Sequence, residues 1–198
     1  MLDNIIKNTY NINKIDTDTK NKIHKLRYNV FHKQLKWDVP VVNEQEIDEY
    51  DELNPVFVTA KDHSGELMGC LRILKTTNKY MLKDTFPQLL DNQAAPQSKS
   101  VLEISRFATQ KSEHLFDPNE KRYVTYSVLQ QAYLHAIEQG VEEYVMVTTC
   151  AIERYLRILG VPTSRLGNGL SMDIGGVNSV AIKMSINDEF KNAVFSIH

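Results

Sequence analysis

Only two cysteines, Cys70 and Cys150, occur among 198 residues. They form no CxxC pair, and no histidine lies nearby at metal-ligand spacing. A disulfide framework and a thiol-redox motif are therefore excluded, and two buried free thiols in a reducing compartment are expected. The eight glycines build no phosphate-cradling loop. The six histidines show neither ligand spacing nor a Ser/Asp partner pattern, so they are read as solvated or capping and no metal is expected. No apolar run approaches the ~20 residues of a membrane span. The opening Met1-Leu2-Asp3-Asn4-Ile5-Ile6-Lys7 lacks the apolar stretch of a secretory signal, which implies a cytoplasmic protein that spans no membrane. Charge of one sign is missing too: 23 Lys and Arg against 25 Asp and Glu leave a net −2. That balance excludes the basic field of a nucleic-acid binder.

What remains is an ordinary globular composition, 42% hydrophobic and 24% charged. One domain covering residues 1–198 is expected. Asp16 or Asp18 can cap a helix whose Ile23, Leu26, Val30 and Phe31 share a face and which ends near Leu35. Lys36 to Asn54 has no clean period and reads as a long loop, of a length that is usually either functional or disordered. Strands are expected over Val56–Ala60, Leu67–Leu74 and Val101–Thr109, the first two joined by the turn Asp62-His63-Ser64-Gly65. A short amphipathic piece, Met81 to Leu90, lies between the second and third. Asp117-Pro118-Asn119-Glu120 is a helix start, with Leu129, Ala132, Tyr133, Ala136 and Ile137 as its buried face and Gly140 as its stop. A strand Glu143–Thr149, a helix Ala151–Leu159 and a strand Val177–Ile186 follow. The class is α+β or mixed α/β: a single twisted, mostly antiparallel sheet flanked by helices.

The chemistry-bearing residues concentrate in four phrases. Leu26-Arg27-Tyr28-Asn29-Val30-Phe31 is followed by Trp37, the one tryptophan. Glu46-Ile47-Asp48-Glu49-Tyr50-Asp51 supplies carboxylates to the long loop, Gly69-Cys70-Leu71-Arg72 an arginine, and Leu102-Glu103-Ile104-Ser105-Arg106-Phe107 one of each sign. Arg27, Arg72 and Arg106 set against Asp48, Asp51 and Glu103 suit a ligand that itself carries both charges, with Phe31, Trp37 and Phe86 as aromatic neighbours. The competing reading is a partly buried ion-pair network that ties the loop to the sheet. In an ideal strand Glu103, Ser105 and Phe107 face one side and Arg106 the other. A bulge or splay between them is therefore expected, because bulges re-aim side chains beside active sites. Arg154, Arg157 and Arg165 form either a local basic patch or a solvated helix face.

These phrases, in this order and spacing, resemble the LuxI-type acyl-homoserine-lactone synthases, the autoinducer synthases of bacterial quorum sensing. The matching positions are Arg27, Phe31, Trp37, Asp48, Asp51, Arg72, Phe86, Glu103 and Arg106. The resemblance is specific from about residue 20 to 110 and looser to the C-terminus, through Thr148-Thr149 and Glu153-Arg154. It implies an N-acetyltransferase-like fold. It also implies transfer of a fatty acyl group from acyl carrier protein to S-adenosylmethionine, with lactone closure and release of methylthioadenosine. S-adenosylmethionine is then a substrate, and no cofactor is implied.

Under that resemblance Glu103, Arg106, Asp48 and Arg27 are the catalytic candidates, with Glu103 as base. Phe31, Trp37, Asp51, Arg72, Phe86, Ser105, Phe107, Thr148 and Thr149 are the substrate-binding candidates. A threonine at 148 or 149 is associated in that family with 3-oxo substrates, against the plainer reading of a buried strand threonine. Carrier proteins are acidic, which makes Arg154, Arg157 and Arg165 the docking candidates. After Phe107 the chain runs Ala-Thr-Gln-Lys-Ser-Glu without the Gly-rich turn that would present N–H groups to a coenzyme A pyrophosphate. That departure weighs against an N-acetyltransferase using acetyl-coenzyme A. A non-catalytic binding module, with the charges as scaffold, is the third reading.

Overall fold

The computed structural model describes residues 5–11, 14–110 and 118–196, with 118–121 described by backbone alone. The chain opens with β1 (Ile6–Asn11) and α1 (Thr17–Arg27), which runs on as a π-helical turn, Tyr28–Gln34. A hairpin of β2 (Val41–Val42) and β3 (Gln45–Glu46), a 3-10 turn Glu49–Glu52, β4 (Val56–Lys61) and β5 (Leu67–Lys75) follow. Next come α2 (Met81–Asp84), a second 3-10 turn Pro87–Leu90, β6 (Val101–Thr109) and α3 (Pro118–Gln139). The chain closes with β7 (Glu143–Thr149), α4 (Cys150–Ile158), β8 (Thr163–Arg165), β9 (Met172–Ile174), β10 (Val177–Ser185) and α5 (Asp188–Phe195). The main sheet has the order β1-β4-β5-β6-β7-β10-β8, with β9 pairing β10. This is the mixed α/β class expected from the sequence. Among the described residues no helix is long and apolar enough to cross a membrane.

The chain divides into two compact units: residues 1–72 with 106–132, and residues 73–105 with 133–198. In the first, Asp16 caps α1 by accepting the Thr19 N–H at 2.8 Å. The helix buries Ile23 and Leu26, and the π turn buries Val30 and Phe31, against Phe57, Leu67 and Cys70. Each such side chain contributes roughly 1.5–3 kcal/mol by leaving water. β1 pairs antiparallel with β4, from Ile6↔Lys61 to Asn11↔Val56. Gly69 lies so close under α3 that a Cβ there would sit 2.7 Å from a Val124 methyl.

In the second unit β10 pairs antiparallel with β7, Val180 opposite Thr148. β6 runs parallel to β7 from Val101↔Glu143 to Ile104↔Met146. Tyr144 and Ile182 are fully buried, and Tyr133 of α3 packs on Phe190 of α5 at 5.7 Å between ring centres.

β6 and β7 have the bounds read from sequence, and β5 is one residue longer. The hairpin β2–β3, the strands β8 and β9, and α5 were not anticipated; strands of two or three residues are too short to show a period. Asn187, whose Oδ1 accepts the Phe190 N–H at 3.0 Å, was a readable start signal for α5. Ile137, expected on the buried face of α3, is 55% exposed. His24 and His135 are buried rather than solvated, because each lies on the inner side of its helix. Cys70 is buried as expected but Cys150, at the first position of α4, is only half-buried. The Asp117 cap lies outside the described residues.

Candidate active site

The first unit encloses three guanidinium groups among three carboxylates. Arg27 comes from the last position of α1 and its side chain is 1% exposed. Its Nε donates to Glu46 Oε2 at 2.5 Å, and its two terminal nitrogens grip Asp51 at 2.7 and 2.8 Å. Arg72, from β5, donates through Nη1 to Asp51 at 2.8 Å and clamps Asp48 through both terminal nitrogens. Arg106, from β6, reaches Glu46 Oε1 at 3.0 Å and Asp48 Oδ2 at 2.8 Å. The fork of each guanidinium suits such two-point contacts.

Local backbone chemistry aims the acids. Asp48 caps the 3-10 turn by accepting the Tyr50 N–H at 3.0 Å, while Asp51 reaches back to the Asp48 N–H at 2.9 Å. This reciprocal pair is a capping box, and it turns both carboxylates toward the arginines. Glu46 enters from the hairpin, whose two turn residues, Asn43 and Glu44, take the positive φ of a type I′ turn. Glu44 is tied to Lys25 at 2.5 Å.

The cluster carries no net charge, and burial inside it shifts its groups in opposite directions. Burial by itself would raise the Asp51 carboxyl, but the Arg27 hydrogen bonds and the charges of Arg27 and Arg72 hold it well below the usual range. Burial likewise acts to lower Arg27, and Asp51 and Glu46 overcome it, so that its pKa is raised. Arg106 is pulled down by burial. His24, one turn before Arg27, is brought to about 4 by burial and by the Arg27 charge. Its Nε2 is buried without a hydrogen-bond partner among the described residues.

Beside the cluster is an aromatic wall. Trp37 stacks on Phe31 at 5.3 Å with planes 8° apart, and the Arg106 guanidinium lies 5.6 Å from the Phe31 ring centre. The π turn holds this pair: Leu35 N–H donates to Val30, and Trp37 N–H to the Phe31 carbonyl at 2.9 Å. Single π turns of this kind gather at functional sites. Trp37 is half-buried and the Arg106 side chain is 12% exposed, against 1% or less for those of Arg27 and Arg72. Trp37 and Arg106 therefore reach the accessible side of the cluster, and Arg27 and Arg72 are its floor.

Where a bulge or splay was expected, β6 has a positive φ of 53° at Arg106. A non-glycine residue in that region is strained, and such strain collects where a side chain is re-aimed for function. Glu46 joins Asp48 and Asp51 as a carboxylate of the arginine cluster. Glu103 is fully buried in the second unit, where its two oxygens accept the N–H groups of Met81 at 2.9 Å and Leu82 at 2.7 Å.

The autoinducer synthase family profile matches residues 11–194. The chain belongs to the autoinducer synthase family. It is therefore an enzyme, an acyltransferase of the acyl-homoserine-lactone synthase kind. It is 42% identical over 171 residues to an acyl-homoserine-lactone synthase of Aliivibrio fischeri, covering 86% of this chain and 88% of that one. Among solved structures, the acyl-homoserine-lactone synthase LasI is 32% identical, with a TM-score of 0.87 over 97% of this chain and 95% of that one. TofI, solved with an inhibitor and methylthioadenosine, is 31% identical, with a TM-score of 0.81 over 95% of both chains. More distant likenesses concern the fold alone: BjaI, a coenzyme A-dependent acyl-homoserine-lactone synthase (17%, TM-score 0.83), and an acyl-coenzyme A N-acyltransferase from Pseudomonas aeruginosa (11%, 0.58).

The remaining site residues of this autoinducer synthase are dispersed through the second unit and β6. Phe86 is half-buried just ahead of the second 3-10 turn, Ser105 is buried and Phe107 half-buried. Thr148 is buried at 7% exposure. Thr149 caps α4, its hydroxyl oxygen accepting the Ile152 N–H at 3.2 Å. Arg154 and Arg157 are exposed on α4. Arg165 stands apart from them on β8, paired with Glu153 at 2.6 and 2.8 Å, which neutralises much of its charge. Glu46 was quoted within its phrase but not counted as a site residue. Three acids, Asp48, Asp51 and Glu103, already matched the three arginines in number, so the sequence carried no signal for a further one. Among the described residues no group of three or more His, Cys, Asp or Glu could hold a metal.

Proposed function

We propose that residues 1–198 act as one synthase domain in the cytoplasm. The enzyme transfers a fatty acyl group from acyl carrier protein to the amine of S-adenosylmethionine, then closes the lactone and releases methylthioadenosine, making a quorum-sensing signal. The observation that carries this reading is the neutral, buried arginine–carboxylate floor beside the Trp37–Phe31 stack. A charged methyl-donor nucleoside presents a carboxylate, an amine, a sulfonium and a flat ring, and the accessible edge of this cluster has a counterpart for each. TofI, a relative at 31% identity, was solved holding methylthioadenosine, the fragment this reaction releases.

In this reading Arg106 and Asp48 touch the substrate's carboxylate and amine, and Trp37 and Phe31 take the ring or the sulfonium. Arg27, Arg72, Asp51 and Glu46 hold those groups in place. Arg27 is a positioning residue here, because its buried fork is already engaged by Glu46 and Asp51. Phe86, Ser105, Phe107, Thr148 and Thr149 are assigned to substrate contact, and the Thr149 hydroxyl keeps its proton free to donate to a 3-oxo oxygen. Arg154 and Arg157, with Arg165 as a weaker member, are assigned to the acidic carrier protein.

The chemistry balances in two steps. The amine nitrogen attacks the thioester carbonyl, the C–S bond breaks, and the amine proton ends on the carrier thiol. The substrate carboxylate then attacks the carbon bearing the sulfonium, whose C–S electron pair returns to sulfur and leaves a neutral thioether. Purified chain supplied with S-adenosylmethionine and acyl-carrier thioesters of several lengths is expected to yield acyl-homoserine lactone and methylthioadenosine. No methylthioadenosine at any length would sink the reading. Faster turnover with the matching acyl-coenzyme A would overturn the carrier protein as donor and leave the rest standing.

A further inference from the structure

The Glu103 carboxylate is placed where an anchor is needed. Its Oε1 and Oε2 accept the N–H groups of Leu82 and Met81, the first two donors of α2. The Met81 carbonyl in turn accepts the N–H of Phe86 at 2.9 Å and that of Thr85 at 2.8 Å. One peptide unit therefore links the Glu103 side chain to the backbone of Phe86. Tyr80 and Asp84 close the same turn, the Tyr80 N–H donating to Asp84 Oδ2 at 2.8 Å. The far end of the segment is seated with equal closeness. Gly167, at φ +65°, faces the Leu89 carbonyl so tightly that a Cβ would stand 2.4 Å from its oxygen. Gln93 Nε2 donates to the Gly167 carbonyl at 3.1 Å.

We infer that Glu103 is a positioning residue: its carboxylate fixes the first turn of α2 and, through Met81, sets the ring of Phe86, instead of taking the amine proton. This rests on the synthase reading above and replaces the base expected at this position from the sequence. Each of the two Glu103 oxygens already accepts a backbone N–H, so moving to meet an amine proton would break the first turn of α2. Loss of the free amine's proton before attack is a small demand. An α-amine of pKa ~8 is already neutral in roughly one molecule in five at pH 7.4, so complete deprotonation gains about fivefold at most.

The test uses the full chain and reads methylthioadenosine release, with KM for each substrate and kcat/KM followed across pH. Phe86→Ala identifies which KM depends on that ring. Glu103→Gln, whose amide can satisfy one N–H but opposes the other, is expected to raise the same KM by ~10-fold with an unmoved pH profile. In the double variant Glu103→Gln adds nothing to Phe86→Ala, because both act through one element. Gly167→Ala, which loosens the other end of the segment, is expected to raise that KM as well, and it decides the matter if Glu103→Gln fails to fold. A loss confined to kcat, on the order of 10²–10⁴-fold with the acid limb abolished, is the signature of a base and overturns the inference. Additive losses in the double variant overturn it too. No turnover by the unsubstituted chain with either acyl donor strikes the synthase reading instead. The anchor is then read by hydrogen exchange, where unchanged protection of the Met81 and Leu82 amides in Glu103→Gln refutes it.

Discussion

The arginine cluster of the first unit and the α2 turn of the second hold carboxylates through different contacts. In one, Glu46, Asp48 and Asp51 are each matched to guanidinium groups arriving from α1, β5 and β6. In the other, Glu103 is matched to uncharged peptide N–H groups at the start of α2. A guanidinium removed from the first leaves a buried carboxylate short of its cation. A backbone donor cannot be removed by substitution at all. Side-chain charge therefore builds a floor that is rigid but intolerant of change, and backbone donors build an anchor that tolerates change at its partners' side chains.

That contrast is sharpest in stability. Arg27→Met should cost about 3–5 kcal/mol, since Glu46 and Asp51 lose a buried partner; a shift in denaturant midpoint below ~1 kcal/mol would show that the cluster relaxes or takes up water. An acid titration comes second. His24 has a folded-state pKa near 4, below the ~6.5 of an exposed imidazole. The unfolded chain therefore binds the proton first, and the contribution of a neutral His24 is complete above pH ~6.5 and declines as pH falls toward 4. Its size is of the order of 3 kcal/mol. Asp51, also depressed, adds loss only below the usual carboxylate range. His24→Gln should flatten the slope between pH 6.5 and 4, and an unaltered slope would remove His24 from the account.

Glu103→Gln is expected to cost less than Arg27→Met, roughly 1–3 kcal/mol, through the buried backbone donor its amide opposes. A larger loss than Arg27→Met would erase the distinction between the two kinds of burial. The smallest stability effect belongs to the surface: Arg154→Glu with Arg157→Glu should move stability by no more than about 0.5 kcal/mol. The KM for the acyl-carrier thioester should rise while that for S-adenosylmethionine stays. An unmoved carrier KM would take α4 out of the docking surface.

Much of the frame was legible in the residues. β6 and β7 carried their bounds in apolar patterning, whereas the positive φ at Arg106 had no signal in the sequence. The loop from Lys36 to Asn54 was rightly without period, yet its hairpin and 3-10 turn escaped notice because four paired residues and one turn leave no repeat to read. Arg165 was grouped with Arg154 and Arg157 by sequence distance, and the fold instead hands it to Glu153. The two amides that Glu103 accepts were invisible in the sequence, since every residue but proline carries such a donor.

The chain alone determined its class, its main strands, the absence of a disulfide framework, and the family phrases from Arg27 to Phe107, because periodicity and residue chemistry are local properties. Which acid meets which cation was decided only on folding. Glu46 lies nineteen positions from Arg27 and sixty from Arg106, and contacts at that separation depend on where the hairpin and strands come to rest. The contacts of Glu103 with the Met81 and Leu82 amides were decided there too, since backbone donors carry no mark in the sequence until a turn of helix leaves them unpaired.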